Sequence, residues 1–492
     1  MKRFALFVSA VLLLTANAVF AQLAVIKGWE VDDKLAEKQN TVFAKSGGGV
    51  SDADVDAFFG KYYFARWTKP GNEGDVQKYA NDFLSKDLAA VTGNVRDTLL
   101  NKSFAALGKI VADNAAPPAA RYNAVQTIGQ LYQREAPNRG DKPVPYSPVL
   151  AYLAGLYDKK DNPEYIRLGA LLGIVRHCYI GVADETMKNT ALPTLFIALL
   201  DEGKPAEQGK RSKEEQEKLD WFRYYGIAGL GALGTANDKT VAALTAVIEN
   251  VQETLELRTA AAKVFGDLDW KSAMDGGAKF DVQHIGTVLI SLMKSASDTE
   301  IQTVTRLRDK ARASGSGGGG MSSAMSMPAM DIGSSMGGSP GGTEAAYSQL
   351  SAERQLEIQG AVQSIKNNVQ NVVYAMTATT SPAGKAKAGI LPLVPEKDAA
   401  AAKMEKTVKA AKNLFQLLDE GPPEDKKNRS GSAMMGGSEM LDPVGGSGGG
   451  VGGRTGTAKK DEKQLKVNFA VILEALNTFG AELDGVITGR GT

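Results

Sequence analysis

Apolar residues recur at intervals of three and four over much of this chain. Val241, Leu244, Ile248 and Val251 step in this way, as do Leu257, Ala261, Val264 and Leu268, while Ile166, Ala170, Ile174 and Cys178 step by four. That spacing lines one face of a helix with apolar side chains and leaves the other face to water. From about residue 76 to 312 the pattern reads helix, short turn, helix. Outer helices are expected near 97–113, 147–158, 189–201, 237–251 and 283–295, and inner helices near 118–133, 163–178, 216–233 and 255–268. Turn chemistry falls between them at Ala116-Pro117-Pro118, Asp161-Asn162-Pro163 and Ala236-Asn237-Asp238.

The inner segments rhyme. Each sets an arginine near its start, then small residues, then an apolar end: Arg121 before Ala124-Val125, Arg167 before Gly169-Ala170, Arg223 before Gly226-Ile227, and Arg258 before Ala260-Ala261. The arginines stand 46, 56 and 35 residues apart, with an insertion near 202–218 lengthening the widest gap. This recurrence over residues 76–312 resembles the HEAT repeat, an armadillo-like unit of about 40–47 residues. The resemblance implies a right-handed α-solenoid and a structural role for Arg121, Arg167, Arg223 and Arg258, each pairing with an aspartate of a neighbouring turn.

Around the repeats the pattern changes. Residues 22–75 make a lead-in and an aromatic cap: 22–57 have no strong periodicity and are expected to be extended and partly disordered, and a cluster of Phe58, Phe59, Tyr62, Tyr63, Phe64 and Trp67 follows. The cluster reads as a cap on the open end of a helical stack, or as an aromatic platform for a sugar or peptide. Residues 313–343 and 428–458 are rich in Gly, Ser and Met and read as low-complexity, disordered linkers. Between and beyond them lie three heptad seams. These are Ile358, Val362, Ile365, Val369, Val372 and Met376; Met404, Val408, Ala411, Phe415 and Leu418; and Leu465, Phe469, Ile472, Leu476, Phe479, Leu483 and Val486. Such seams fit near-parallel, coiled-coil-like packing, so residues 344–488 are expected to form a three-helix bundle interrupted by the 428–458 loop, or to self-associate between chains. The fold class expected is all-α, a HEAT-like solenoid followed by a flexibly tethered small helical bundle.

The first 21 residues read as a signal peptide: Lys2 and Arg3, an apolar run from Phe4 to Leu14, and small residues before a cut at Ala21/Gln22. The run is too short to span a membrane. The expected location is therefore the periplasm or cell envelope, with no membrane span after cleavage. Lys+Arg number 57 against 56 Asp+Glu, and loss of Lys2 and Arg3 takes the net charge from +1 to −1. This balance argues against nucleic acid as a partner. A single cysteine, Cys178, excludes a disulfide within the chain.

Catalytic chemistry is thin. His177 and Cys178 are neighbours in sequence and point to different faces of a helix, which does not make a nucleophile pair. Gly229-Leu230-Gly231-Ala232-Leu233-Gly234 matches the spelling of a dinucleotide fingerprint, yet it ends a helical pattern instead of opening one after a strand. No other cofactor motif is present, and none is expected. Eight of the 14 methionines lie in the linkers, and Met325, Met327 and Met330 are close enough to share one soft Cu(I) ion. The function expected is an exported, non-enzymatic scaffold that binds a protein or peptide partner. A copper-handling envelope protein is the alternative, and an enzyme whose site forms only in the fold is a residual one.

Overall fold

In a computed structural model the described residues are mostly helical. The structure describes residues 31–43, 51–136, 138, 141–204, 211–315, 352–378, 389–420 and 468–489. Residues 1–21, expected to be a signal peptide, and 316–343 and 428–458 of the two expected linkers, with Met325, Met327 and Met330, lie outside the described residues. The chain divides into two compact units. One comprises residues up to 292 with 371–401, and the other comprises 293–370 with 402–492.

The first unit opens with a 3-10 turn at Asp33–Lys38 and a helical turn at Gln39–Val42, in a stretch expected to be extended. Helix α1, Asp52–Phe58, runs into a π-helical turn at Phe59–Tyr63, and α2 spans Val76–Asp82. Ser51 starts α1 by accepting a hydrogen bond from the Asp54 amide. Four pairs of helices follow. They are α3 (Gly93–Ala112) with α4 (Pro118–Ile128), α5 (Ser147–Asp158) with α6 (Glu164–Ile180), α7 (Leu192–Asp201) with α8 (Lys213–Leu233), and α9 (Asp238–Glu249) with α10 (Leu255–Asp267). The members of each pair pack together, and the second members pack in succession, α4 on α6, α6 on α8 and α8 on α10. A two-stranded antiparallel ribbon of β1 (Tyr132–Arg134) and β2 (Val144–Pro145) follows α4.

Three of the four pairs turn in the same way. The first residue after the leading helix, Asp113, Lys159 or Asn250, is extended and donates its amide to the carbonyl four residues back. Three residues later Ala116, Asn162 and Glu253 donate to the carbonyls of Asp113, Lys159 and Asn250 at 3.0–3.1 Å. Pro117, Pro163 or Thr254 then starts the second helix. Proline suits that place, where an amide hydrogen has no helical acceptor and φ near −65° is already set. In the pair α7/α8 an insertion replaces this short turn, and Ser212 and Glu215 form a capping box.

The second unit holds α11 (Val282–Gly315) from Met293 onward, α12 (Ala352–Thr377) up to Gln370, α13 (Ala399–Glu420) from Ala402, and α14 (Phe469–Thr488). The seam residues Ile358, Val362, Ile365, Val369, Met404, Val408, Ala411, Leu418, Ile472, Leu476, Phe479 and Leu483 are buried. Phe415 is only half-buried and Leu414 takes the inward place. A fourth segment joins the three expected ones. Helix α11 runs about twenty residues past its expected end near 295 and buries Met293, Ser297, Glu300 and Val304. Ser297 and Glu300 occupy inward positions, so the apolar period falters there in sequence. Both are satisfied: Glu300 accepts from Ser364 Oγ at 3.0 Å and Asn368 Nδ2 at 2.8 Å, and Ser297 Oγ donates to the Leu476 carbonyl at 3.4 Å.

Candidate functional site

The four arginines of the repeated segments share one interaction. Nε of Arg121 donates to the Val111 carbonyl at 3.0 Å, Arg167 to Tyr157 at 3.2 Å, Arg223 to Leu200 at 3.3 Å and Arg258 to Ile248 at 2.8 Å. Every acceptor is the penultimate residue of the preceding helix. The last carbonyls of a helix lack intrahelical donors and carry partial negative charge, so a guanidinium there satisfies an acceptor and favours the dipole. Arg223 is held 23 residues from its acceptor where the others stand ten away. The insertion lengthens the connection and extends α8, leaving the contact intact.

The same side chains reach forward to the next pair. Arg121 lies 6.0 Å over the Tyr165 ring, and Arg167 lies 5.8 Å over Phe222. Arg223 donates to both carboxylate oxygens of Glu253, with Nη1 to Oε2 at 2.7 Å, and both residues are buried. Arg223 also lies 3.6 Å from the carboxylate of Asp220, one turn back in α8, but its closer carboxylate is Glu253, and Arg121 and Arg167 face aromatic rings.

Tight glycine contacts bring the successive helices together. A Cβ on Gly129 would stand 2.8 Å from the Gly173 Cα, and one on Gly229 would stand 2.3 Å from the Phe196 ring. Gly231 faces Val264, and Gly234 closes α8 in the left-handed conformation at φ 64°. The apparent dinucleotide fingerprint is therefore two packing contacts and a helix stop.

His177 and Cys178 are both buried. Burial, reinforced by the Arg176 charge, pushes the imidazole down to about 4, and burial holds the thiol well above its usual range. A neutral imidazole beside a protonated thiol is not an activated nucleophile. No group of three His, Cys, Asp or Glu side chains that could hold a metal occurs among the described residues.

The aromatic cluster near the N-terminus is core. Phe58, Phe59, Tyr63, Phe64 and Trp67 are at most 1 % exposed, with ring centroids 5.1–5.9 Å apart. Tyr63 donates to Asp87, and burial, then that carboxylate, pushes its phenol far above the usual range.

The open aromatic surface lies elsewhere, on the succession α4, α6 and α8. Trp221 is 59 % exposed, Tyr224 46 % and Tyr179 55 %. Trp221 and Tyr225 stack at 6.0 Å, and Tyr224 meets both edge-on at 6.5 and 5.9 Å. Helical phasing explains the placement: with Arg223, Gly226 and Leu230 turned inward, residues 221, 224 and 225 share the outward side. Crowding by the surrounding protein, then the Asp267 carboxylate and the Tyr224 phenol, push the Tyr179 hydroxyl up. That places Tyr179 within electrostatic reach of α8 and α10. Tyr374 donates to Asp267 at 2.9 Å. Between α4 and α6, where Gly129 meets Gly173, Gln126, Gln130, Leu172 and Arg176 line a shallow depression of about 190 Å³, and Arg176 stands one helical turn from Tyr179. Arg176 is exposed, lies 5.4 Å over the Tyr132 ring and donates to its hydroxyl.

Sequence reasoning singled out the 222–231 segment for its arginine and small residues and gave no role to Trp221 or Tyr224. The signal was present: once Arg223 is assigned to the buried side, Trp221 and Tyr224 must face out. Comparison of the chain with protein-family models, with curated proteins and with solved structures found no match.

Proposed function

We propose that this chain is a non-enzymatic, exported scaffold of HEAT-like helical-repeat type, and that it binds a protein partner on the face made by α4, α6 and α8. The observation that carries this reading is the exposure of Trp221, Tyr224 and Tyr179 together on that face. Tryptophan, tyrosine and arginine are the residues that dominate binding energy at protein interfaces, and Arg176 stands one helical turn from Tyr179. The solenoid part of the proposal is supported by the recurring turn and by the guanidinium-to-carbonyl contact at Arg121, Arg167, Arg223 and Arg258. Stacked repeats present extended surfaces of this kind. The charged and apolar start at residues 2–14 supports export.

Affinity capture from envelope extracts with the full mature chain tests the proposal. The parent chain is expected to retain a partner that the double variant Trp221→Ala/Tyr224→Ala loses, with unchanged circular dichroism. A partner retained equally by both chains would move the functional surface elsewhere.

A further inference from the structure

The exposed rings sit among an uneven set of hydrogen-bonding groups. Trp221 Nε1 and the hydroxyls of Tyr179, Tyr224 and Tyr225 make no hydrogen bond among the described residues. An indole and a guanidinium can only donate. The nearby carboxylate, Asp267, already accepts from Tyr374. Over the rings, then, the surface offers apolar faces, an indole that can only donate and tyrosine hydroxyls free to donate or to accept, which accommodates a ligand that brings apolar rings and acceptors. The rings are also a shelf and not a cage. Trp221 and Tyr225 lie 6.0 Å apart and 24° from parallel, which leaves no room for a cation between them.

The character changes toward the depression. Gln126 spends an amide N–H on the Tyr122 hydroxyl at 3.3 Å and Gln130 spends one on the Gln126 carbonyl at 3.3 Å, so both keep an acceptor oxygen. Arg176 pairs with no carboxylate among the described residues and donates to the neutral Tyr132 hydroxyl. This end suits a chain segment that has backbone N–H groups and a negative charge.

We infer that the face binds an extended proline-rich segment flanked by an acidic residue, with prolines on Trp221, Tyr224 and Tyr225 and the acidic residue at Arg176. Polyproline has no amide hydrogens, keeps its carbonyls free as acceptors and presents apolar rings in a preformed PPII helix. Recognition on aromatic shelves uses that low ordering cost. The inference rests on the scaffold reading and names the chemistry of its partner.

The test uses the full mature chain and fluorescence anisotropy. The probe is a fluorescein-labelled oligoproline of about ten residues, roughly 31 Å long as PPII, ending in aspartates. The comparison probes are the same chain ending in lysines and a Gly/Ser chain ending in aspartates, with a chitin hexasaccharide as competitor. The proline–aspartate probe is expected to bind, and the other two to bind about tenfold more weakly or not at all. Trp221→Ala should weaken binding about tenfold or more. Arg176→Gln should erase the preference for aspartate over lysine while retaining proline binding. Val251→Ala, an exposed apolar change off this face, should do nothing. The inference is overturned by no anisotropy change at about 1 mM chain, by equal binding of the Gly/Ser probe, or by binding of the hexasaccharide with none of the proline probe. Sedimentation showing a second copy seated over Trp221 would also overturn it. A partner captured through Trp221 without binding of the proline probe would retain the scaffold proposal and reject this ligand.

Discussion

Two aromatic clusters lie in the first unit, and they are opposites in use. The cluster from Phe58 to Trp67 is the conspicuous one in sequence, and its rings are spent on each other in the core. The cluster at Trp221, Tyr224 and Tyr225 is embedded in a repeated segment, and its rings face out beside Tyr179. Ring density therefore does not distinguish a platform from a core. What distinguishes them is the phase of each ring against a residue whose direction is fixed. In α8 that residue is Arg223, held inward by Leu200 and Glu253.

The contrast breaks most sharply on stability. Phe64→Ala should cost about 3–5 kcal/mol, because a fully buried ring leaves a cavity among its neighbours. Trp221→Ala should stay within about 0.5 kcal/mol, as exposed substitutions do. Urea unfolding of the two variants measures the difference, and equal costs would remove the distinction between core and surface rings. Arg223→Ala should also cost about 3–5 kcal/mol, since it leaves Glu253 buried without its partner. If that loss is small, the forward link between successive pairs has little weight.

The pH dependence of His177 is a third test. Its folded pKa of about 4 lies below the unbonded value of 6.5. The unfolded chain therefore takes up a proton first as pH falls. Stability held above pH 6.5 is lost between about 6.5 and 4, amounting to about 3 kcal/mol from the size of the shift. His177→Gln should flatten that part of the profile relative to the parent chain. Gly229→Ala should have a somewhat smaller effect, about 1–3 kcal/mol, because the Phe196 ring occupies the space a methyl group needs. A neutral Gly229→Ala would weaken the packing account of the glycines in α8.

Much of the helical layout was legible in sequence. The three-and-four spacing of Ile166, Ala170 and Ile174, or of Leu257, Ala261 and Val264, follows from burial on one helix face, and all six are buried. The arginines were legible as repeats but not as contacts. Their shared acceptor is a backbone carbonyl, which has no sequence signature. Their forward partners vary between Tyr165, Phe222 and Glu253, so no single residue type recurs. Helix α11 was read too short because Ser297 and Glu300 take inward places that periodicity reserves for apolar residues, and hydrogen bonds from Ser364 and Asn368 to Glu300, and from Ser297 to the Leu476 carbonyl, make that burial tolerable. The open face was missed for a related reason. Tyr179 and Trp221 are 42 positions apart in the chain, and only the packing of α8 on α6 puts them on one surface.

The central claim is that the face of α4, α6 and α8 meets the partner. A photo-crosslinking residue placed at Tyr224, and separately at Val251, in the full mature chain tests it most directly. Irradiation in envelope extract is expected to give a discrete adduct from position 224 and none from 251. Adducts of equal yield from both positions, or from 251 alone, would contradict the claim.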